Sequence, residues 1–426
     1  MTASARLDRD LGVGLSPRVL RVYGAHALTS VASNLLMLSF FFYAKQIFHW
    51  SAAACLGLVS AEGAVYILGA LAANSIAARF GRRGGLLLLQ TILVVLCGLA
   101  WIYPKPMAVV PILLVYTTAC AAVWPAVESL VVAGTSGDML SRRVGLYNLS
   151  WSAVGAATLA VSGIIISRYP AGMFLIPLAV HIGAAVLLLI GSVEPPGDSS
   201  HAKGMVSAEP ELLVQRTLAL HLSRIGLPST YIVVYSLAAL MPSLRVIQSF
   251  APAWQTVVAS AWMASRFVTF AFLGATTGWH SRPRLLLVAA FIMLAAFLGV
   301  TLRPDEVFGG SLGITPTDQI LMILSQIPLG AAMGLIYSGS LYFGMVLSEG
   351  STEHGGYHEA LIGLGQSLGP AAALATQTVW PGDNEASVWA VAGLVGVTLV
   401  AAVAVSLRHR GARCESPAHS GHADRY

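Results

Sequence analysis

The sequence predicts an all-α polytopic membrane protein, with twelve transmembrane helices in two pseudo-symmetric six-helix bundles. Three observations carry that prediction. Of 426 residues, 56% are hydrophobic and 10% charged, with a mean hydropathy of +0.74; soluble domains carry about a quarter charged residues. Apolar runs of about 20 residues recur along the chain, the length that crosses a hydrocarbon core of roughly 30 Å. The runs lack the alternation of strands, and in lipid only helices or closed barrels satisfy their backbone groups.

The runs lie near 19–43, 51–73, 84–103, 106–134, 145–167 and 170–193, and then near 216–240, 250–278, 283–302, 317–346, 357–378 and 386–407. The first 18 residues are polar, and the first run is too long for a signal peptide and lacks its cleavage flanks. That run is therefore expected to stay in the protein as a span.

Lys and Arg set the orientation, because cytoplasmic loops retain them. With an even number of spans both termini share a side. That side holds seventeen basic residues, among them Arg79, Arg82, Arg83, Arg142, Arg143, Arg282 and Arg284, against five on the other: Lys45, Lys105, Arg168, Arg245 and Arg303. A multi-pass protein of the plasma (inner) membrane with both termini cytoplasmic is expected. The net charge of +5 and pI near 9.1 follow from that topology and need no nucleic acid. Cys55, Cys97, Cys120 and Cys414 form no CxxC, and three of them lie in apolar runs. They read as small core residues, with no disulfide framework and no metal site.

The stretch from Val193 to Gln215 is rich in Pro, Gly, Ser and charge. It divides the chain into a first bundle over 1–193, a cytoplasmic linker over 194–215 and a second bundle over 216–408, with a disordered cytoplasmic tail over 409–426. Internal repetition points the same way: NSIAARFGRRGGLLLL after the second span echoes GATTGWHSRPRLLLV after the eighth, with Arg82 and Arg282 200 residues apart.

Polar residues inside the spans follow a period of three helices. In the fourth span Thr117, Ala121, Trp124 and Glu128 share one helical face, and in the eighth Gln255, Ala259, Trp262, Arg266 and Thr269 do the same. Comparable stripes run through the first span (His26, Ser30, Ser33, Asn34), the second (Glu62, Tyr66, Gly69), the fifth (Asn148, Ser152, Gly155) and the seventh (Arg224, Pro228, Tyr231, Tyr235). The tenth (Gln326, Gly330, Met333, Tyr337, Ser340) and eleventh (Glu359, Gly363, Gln366, Pro370) continue them. Spans 3, 6, 9 and 12 are almost unbroken apolar sequence, apart from residues such as Gln90 and His181, and are expected to face lipid. A charge at mid-bilayer costs at least about 2.5–3.5 kcal/mol, so the stripes are expected to meet around a central aqueous cavity.

These residues resemble the major facilitator superfamily over nearly the whole chain. The loop of that family after helix 2 reads roughly G-x-x-x-D-R-x-G-R-R; Arg79, Gly81, Arg82 and Arg83 match it, while Asn74 and Ala78 stand where the family has Gly and Asp. The resemblance implies a gating loop on the cytoplasmic side, without the carboxylate of the family's charge contact there. The G-x-x-x-G-P of antiporter members is missing from the fifth span, which has Gly155 but no Pro; the eleventh has GQSLGP, Gly365 to Pro370. GLYNLSW from Gly145 and GGYHEALIGLGQSLGP from Gly355 are similar to a little-characterised bacterial branch of the family, and the resemblance supplies no substrate.

Asn34, Glu62, Trp124, Glu128, Trp262, Arg266, Tyr337 and Gln366 are the candidate cavity residues. Glu62 and Glu128 either carry a coupling proton or pair with Arg266 or Arg224 to hold helices together. Arg266 either meets a carboxylate or phosphate of a solute or neutralises Glu128. Trp124, Trp262, Tyr231, Tyr235 and Tyr337 would wall the cavity for a ring-bearing solute, or simply pack. His354 and His358 have the four-residue spacing of a helical metal pair, but the intervening Gly355 and Gly356 argue against a helix, and the segment reads as a loop. No phosphate-binding Gly-rich loop and no nucleophile-base pair is present, so neither ATP-driven transport nor catalysis is expected, and no cofactor is implied. The sequence thus points to a secondary active or facilitative carrier of a small organic solute, working by alternating access as a monomer, with a proton as candidate coupling ion. A non-transporting membrane sensor or assembly factor that kept the fold is the alternative.

Overall fold

The computed structural model describes residues 16–135, 137–190, 210–303, 313–347 and 352–415. Every regular element among them is helical. Helix α1 (Pro17–Asn34) starts at a Ser-Pro pair: the Ser16 hydroxyl accepts from the Val19 N–H, and Pro17 sits in the first turn, where a missing N–H leaves no bond unmade. It passes through a π-helical turn, Leu35–Ser39, into α2 (Phe40–Ile47).

Helix α3 (Ala52–Ile102) is capped by Ser51 and has 51 residues, which would span about 76 Å if straight. It is broken at Gly81, whose φ of 71° and ψ of 160° leave the helical path. A residue with a Cβ is strained at that φ. The runs 51–73 and 84–103 therefore form two arms of one element, hinged in the middle of the RFGRR turn.

Then follow α4 (Pro106–Val132), α5 (Gly137–Arg168) and α6 (Gly172–Leu189). Helix α7 (Pro210–Leu240) begins within the stretch assigned to the linker, whose earlier part, like residues 416–426 of the tail, lies outside the described residues. Helices α8 (Pro252–Ala259) and α9 (Ala261–Ala275) share the run 250–278 with a break at Ser260. Helices α10 (Arg284–Thr301), α11 (Pro316–Leu347), α12 (Thr352–Val379) and α13 (Asn384–Glu415) complete the chain. Helix α13 runs on over the first residues of the expected tail.

Helix α12 corrects one expectation. Gly355 and Gly356 do not interrupt it; the helix starts at Thr352 and includes both. A Cβ on Gly355 would lie 2.9 Å from Glu128 Oε2 and 3.2 Å from Pro125 Cα, and one on Gly356 would lie 3.2 Å from the Ala70 carbonyl oxygen. Helix-helix approach at these positions offsets the roughly 1 kcal/mol by which Gly disfavours a helix.

Ten described helical stretches are long and apolar enough to cross a membrane, α3 with its break among them. Helix α12 is long enough at 28 residues but less apolar. The chain is a multi-pass, all-α membrane protein. Helices α1 to α6 pack on one another, as do α7 to α13, and the seam between the groups is made by α12 against α3 and α4 and by α5 against α8 and α9.

Contacts among the described residues join the two groups toward both ends of the seam. At the face where the chain's first helix begins, Gly145 of α5 meets Gly274 of α9, and Tyr66 of α3 donates to Glu359 Oε2 of α12. At the opposite face the Gly163 N–H donates to Thr256 Oγ1 at 2.8 Å, Thr256 Oγ1 donates to the Ala160 carbonyl at 3.2 Å, and Gln46 Nε2 donates to Gln255 Oε1 at 3.4 Å. Between the two faces Ser60 Oγ donates to the Ser367 carbonyl at 3.0 Å.

Candidate functional site

Between the two helix groups lies a cavity of about 100 Å³ lined by residues of both. The first group contributes the polar face of α1 (His26, Ser30, Ser33, Asn34), Tyr66 of α3, Trp124 of α4, and Tyr147 and Trp151 of α5. From the second group come Tyr231 and Tyr235 of α7, Trp262, Met263 and Arg266 of α9, Tyr337 of α11, and Glu359 and Ile362 of α12.

Two local distortions place these side chains. The π turn of α1 directly follows Asn34 and includes Met37 and Leu38, which also line the cavity; such turns recur at functional positions. The break at Ser260 removes helical bonds at the entry to α9. Gln326 of α11 takes them up: its Oε1 accepts from the Trp262 N–H at 3.3 Å, and its Nε2 donates to the Val258 carbonyl at 3.1 Å. One amide thus spans the kink that turns Trp262 and Arg266 toward the cavity.

Of the eight residues singled out from sequence, Asn34, Trp124, Trp262, Arg266 and Tyr337 line the cavity, while Glu62, Glu128 and Gln366 are buried and are not part of its lining. Glu62 and Gln366 lie at the α3–α12 seam, where a Cβ on neighbouring Gly63 would overlap the backbone of Gln366 and Ser367. Neither carboxylate oxygen of Glu62 and neither amide atom of Gln366 has a hydrogen-bond partner among the described residues. Glu128 Oε1 accepts from the Tyr147 hydroxyl at 3.4 Å, while its Oε2 is buried without a partner. Arg266 forms no ion pair with Glu128 among the described residues; its Nη2 donates to the Tyr231 hydroxyl at 3.3 Å.

The gating-loop residues lie elsewhere. Gly81 is the hinge of α3, and Arg79 lies over the Phe80 ring at 5.6 Å. Arg83 donates from Nε to the Leu188 carbonyl at 3.0 Å and from Nη2 to the Leu189 carbonyl at 2.7 Å. It thus places its cation at the negative end of α6. Arg82 neighbours it in the second arm of α3.

Several cavity residues were missed as site candidates. Glu359 is the main one: it lines the cavity, accepts from Tyr66, and lies beside Glu128 and His358 with one candidate ligand atom of each within 4.8 Å of the others. These are the described residues that could hold a metal ion, and His358 Nδ1 is within 3.0 Å of Ser340 Oγ. Tyr147 and Trp151 form an i, i+4 aromatic pair on α5, a signal present in GLYNLSW. His26 stacks on Tyr147 at 4.3 Å and meets Trp124 edge-on at 5.6 Å.

No curated protein matches the chain in sequence. Among solved structures, the crystal structure of the nucleoside transporter NupG matches at TM-score 0.63 with 15% identity, covering 91% of this chain and 99% of that one. A point mutant of NupG matches at TM-score 0.65 with 14% identity over the same shares. At that identity the likeness shows the fold. A family model described as Major Facilitator Superfamily matches residues 22–370. The chain belongs to the Major Facilitator Superfamily, and is a membrane transporter of small solutes.

Proposed function

We propose that the chain carries a small ring-bearing solute across the plasma (inner) membrane by alternating access. The observation that carries this is the cavity wall: three tryptophans and five tyrosines from both helix groups face one shared space. Aromatic faces and edges bind flat rings, and NupG, of the same fold, is a nucleoside transporter. In this reading rocking of the bundles 1–193 and 216–408 about linker 194–215 exposes the cavity to one face at a time. Twelve crossings, cytoplasmic termini, a cytoplasmic tail over 409–426 and a monomer complete the proposal.

Proton coupling falls to Glu128 and Glu359. They belong to opposite groups, and a shared proton removes the repulsion between two adjacent carboxylates. When the groups part on that face, the pair separates and the proton is released to that side.

A melting-temperature screen of the purified protein in detergent tests the solute class, with nucleosides, aromatic acids, sugars, amino acids and cationic drugs. A ligand at a hundred times its Kd stabilises by about 2.7 kcal/mol. Stabilisation by ring-bearing compounds, followed by their flux in proteoliposomes, supports the proposal; stabilisation by sugars alone, or by nothing, overturns it.

A further inference from the structure

Arg266 is only 1% exposed and sits inside a cage of rings. Its guanidinium carbon is 4.6 Å from the Trp151 ring centroid, 4.9 Å from Tyr337, 5.4 Å from Phe270 and 5.7 Å from Tyr231. Among the described residues the cage contains no counter-charge. Among the described residues no carboxylate pairs with Arg266, and the carboxylates of the site, Glu128 and Glu359, accept from Tyr147 and Tyr66 instead. Its one hydrogen bond among the described residues goes to the Tyr231 hydroxyl, and the buried Nε has no partner among them. The Trp151 indole Nε1, in the ring closest to the guanidinium, is likewise buried and unpartnered.

Ring faces attract a cation but accept its N–H groups only weakly. A guanidinium offers five donors in a planar fork that matches a carboxylate or phosphate. Here much of that fork is unused, beside an unpaired indole donor, at the wall of the cavity. Such an arrangement is costly in the empty protein and is satisfied by an anion.

We infer that the solute is a flat ring bearing one anionic group, and that Arg266 is its counter-charge, with the ring held between the aromatic walls. The inference rests on the solute-carrier reading above and narrows its substrate to ring-bearing acids, in contrast to an uncharged nucleoside.

The test uses the full chain in detergent at fixed ionic strength, with pairs that share a ring and differ in charge: orotate and uracil, nicotinate and nicotinamide, uridine 5′-monophosphate and uridine. The third pair separates phosphate from carboxylate. Melting temperature and calorimetric Kd are read for the parent, Arg266→Gln and Arg266→Lys. The expected result is stabilisation by an acid and not by its neutral partner. The same acid should bind about 10- to 100-fold more weakly to Arg266→Gln, and Arg266→Lys should recover part of the loss. The empty Arg266→Gln protein should melt no lower than the parent, since the one hydrogen bond given up among the described residues is that to the Tyr231 hydroxyl, which keeps its own proton to donate.

Equal binding of neutral and acidic members, unchanged in Arg266→Gln, overturns the inference and leaves the carrier reading standing. A lower melting temperature of empty Arg266→Gln, with acid binding intact, also overturns it, because the arginine is then structural. Silence from every ring-bearing compound counts against the carrier reading itself and removes the basis of the inference with it.

Discussion

Glu128 of α4 and Glu359 of α12 face each other across the seam, each offering a carboxylate oxygen within 4.8 Å of the other. Both are 2% exposed, and each has a tyrosine hydroxyl as donor, Tyr147 for Glu128 and Tyr66 for Glu359. Tyr147 and Glu128 belong to one helix group and Glu359 to the other, while Tyr66 reaches across. The pair therefore bridges the seam between the two groups.

Replacing either acid with its amide keeps the shape and removes the proton site. In Glu128→Gln and Glu359→Gln, uptake driven by an imposed pH gradient in proteoliposomes is expected to fall at least tenfold. Solute counterflow, which needs no net proton movement, is expected to persist. Gradient-driven uptake at the parent rate would remove the pair from coupling.

Gly163 sits where its N–H donates to Thr256, and an added Cβ would crowd Thr256 Oγ1 and the Ala253 carbonyl. Gly163→Val is expected to hold α5 and α8 apart at that face. A cysteine at Met263, which lines the cavity, reports it in a background with Cys55, Cys97, Cys120 and Cys414 changed to Ser. Labelling by a membrane-impermeant maleimide should rise several-fold; unchanged labelling would show that the seam absorbs the clash.

Arg83 caps the last carbonyls of α6 within its own helix group. Arg83→Ala is expected to lower stability by about 1–2 kcal/mol, seen as a lower melting temperature, with transport rate per folded molecule retained. Loss of transport at an unchanged melting temperature would instead identify Arg83 as part of a gate.

His181 joins three helices: its Nδ1 is 2.8 Å from Gln90 Oε1, its Nε2 is 3.0 Å from the Tyr116 hydroxyl, and Gln90 Nε2 donates on to Thr29 Oγ1 at 2.9 Å. His181→Phe leaves Gln90 and Tyr116 without that partner. A loss of about 1–2 kcal/mol is expected, with solute Kd unchanged because the network lies outside the cavity. A shifted Kd would tie the network to the site.

That network also marks the boundary of what the sequence showed. Gln90 and His181 stand out as exceptions in otherwise apolar spans, and periodicity alone offered no reason for them. They are buried because they complete each other across α3 and α6, a pairing between residues 91 positions apart. Similarly, Gly355 and Gly356 look like helix breakers in sequence. Their role appears only beside Pro125, Glu128 and Ala70, whose close approach leaves no room for a side chain.

Hydropathy and length by themselves determined the membrane and the helices, because the bilayer imposes one span length and one way of satisfying the backbone; the family was legible only through the motif around Arg79, Gly81, Arg82 and Arg83. The polar stripes also named five residues that line the cavity, since a helix repeats its faces every 3.6 residues. Tertiary structure decided which polar residues meet. It paired Glu128 with Glu359 instead of Arg266, set Gln326 across the break before Trp262, and left Arg266 among rings without a counter-charge. These outcomes depend on the rotation and approach of one helix against another, a relation between distant segments that no local period encodes.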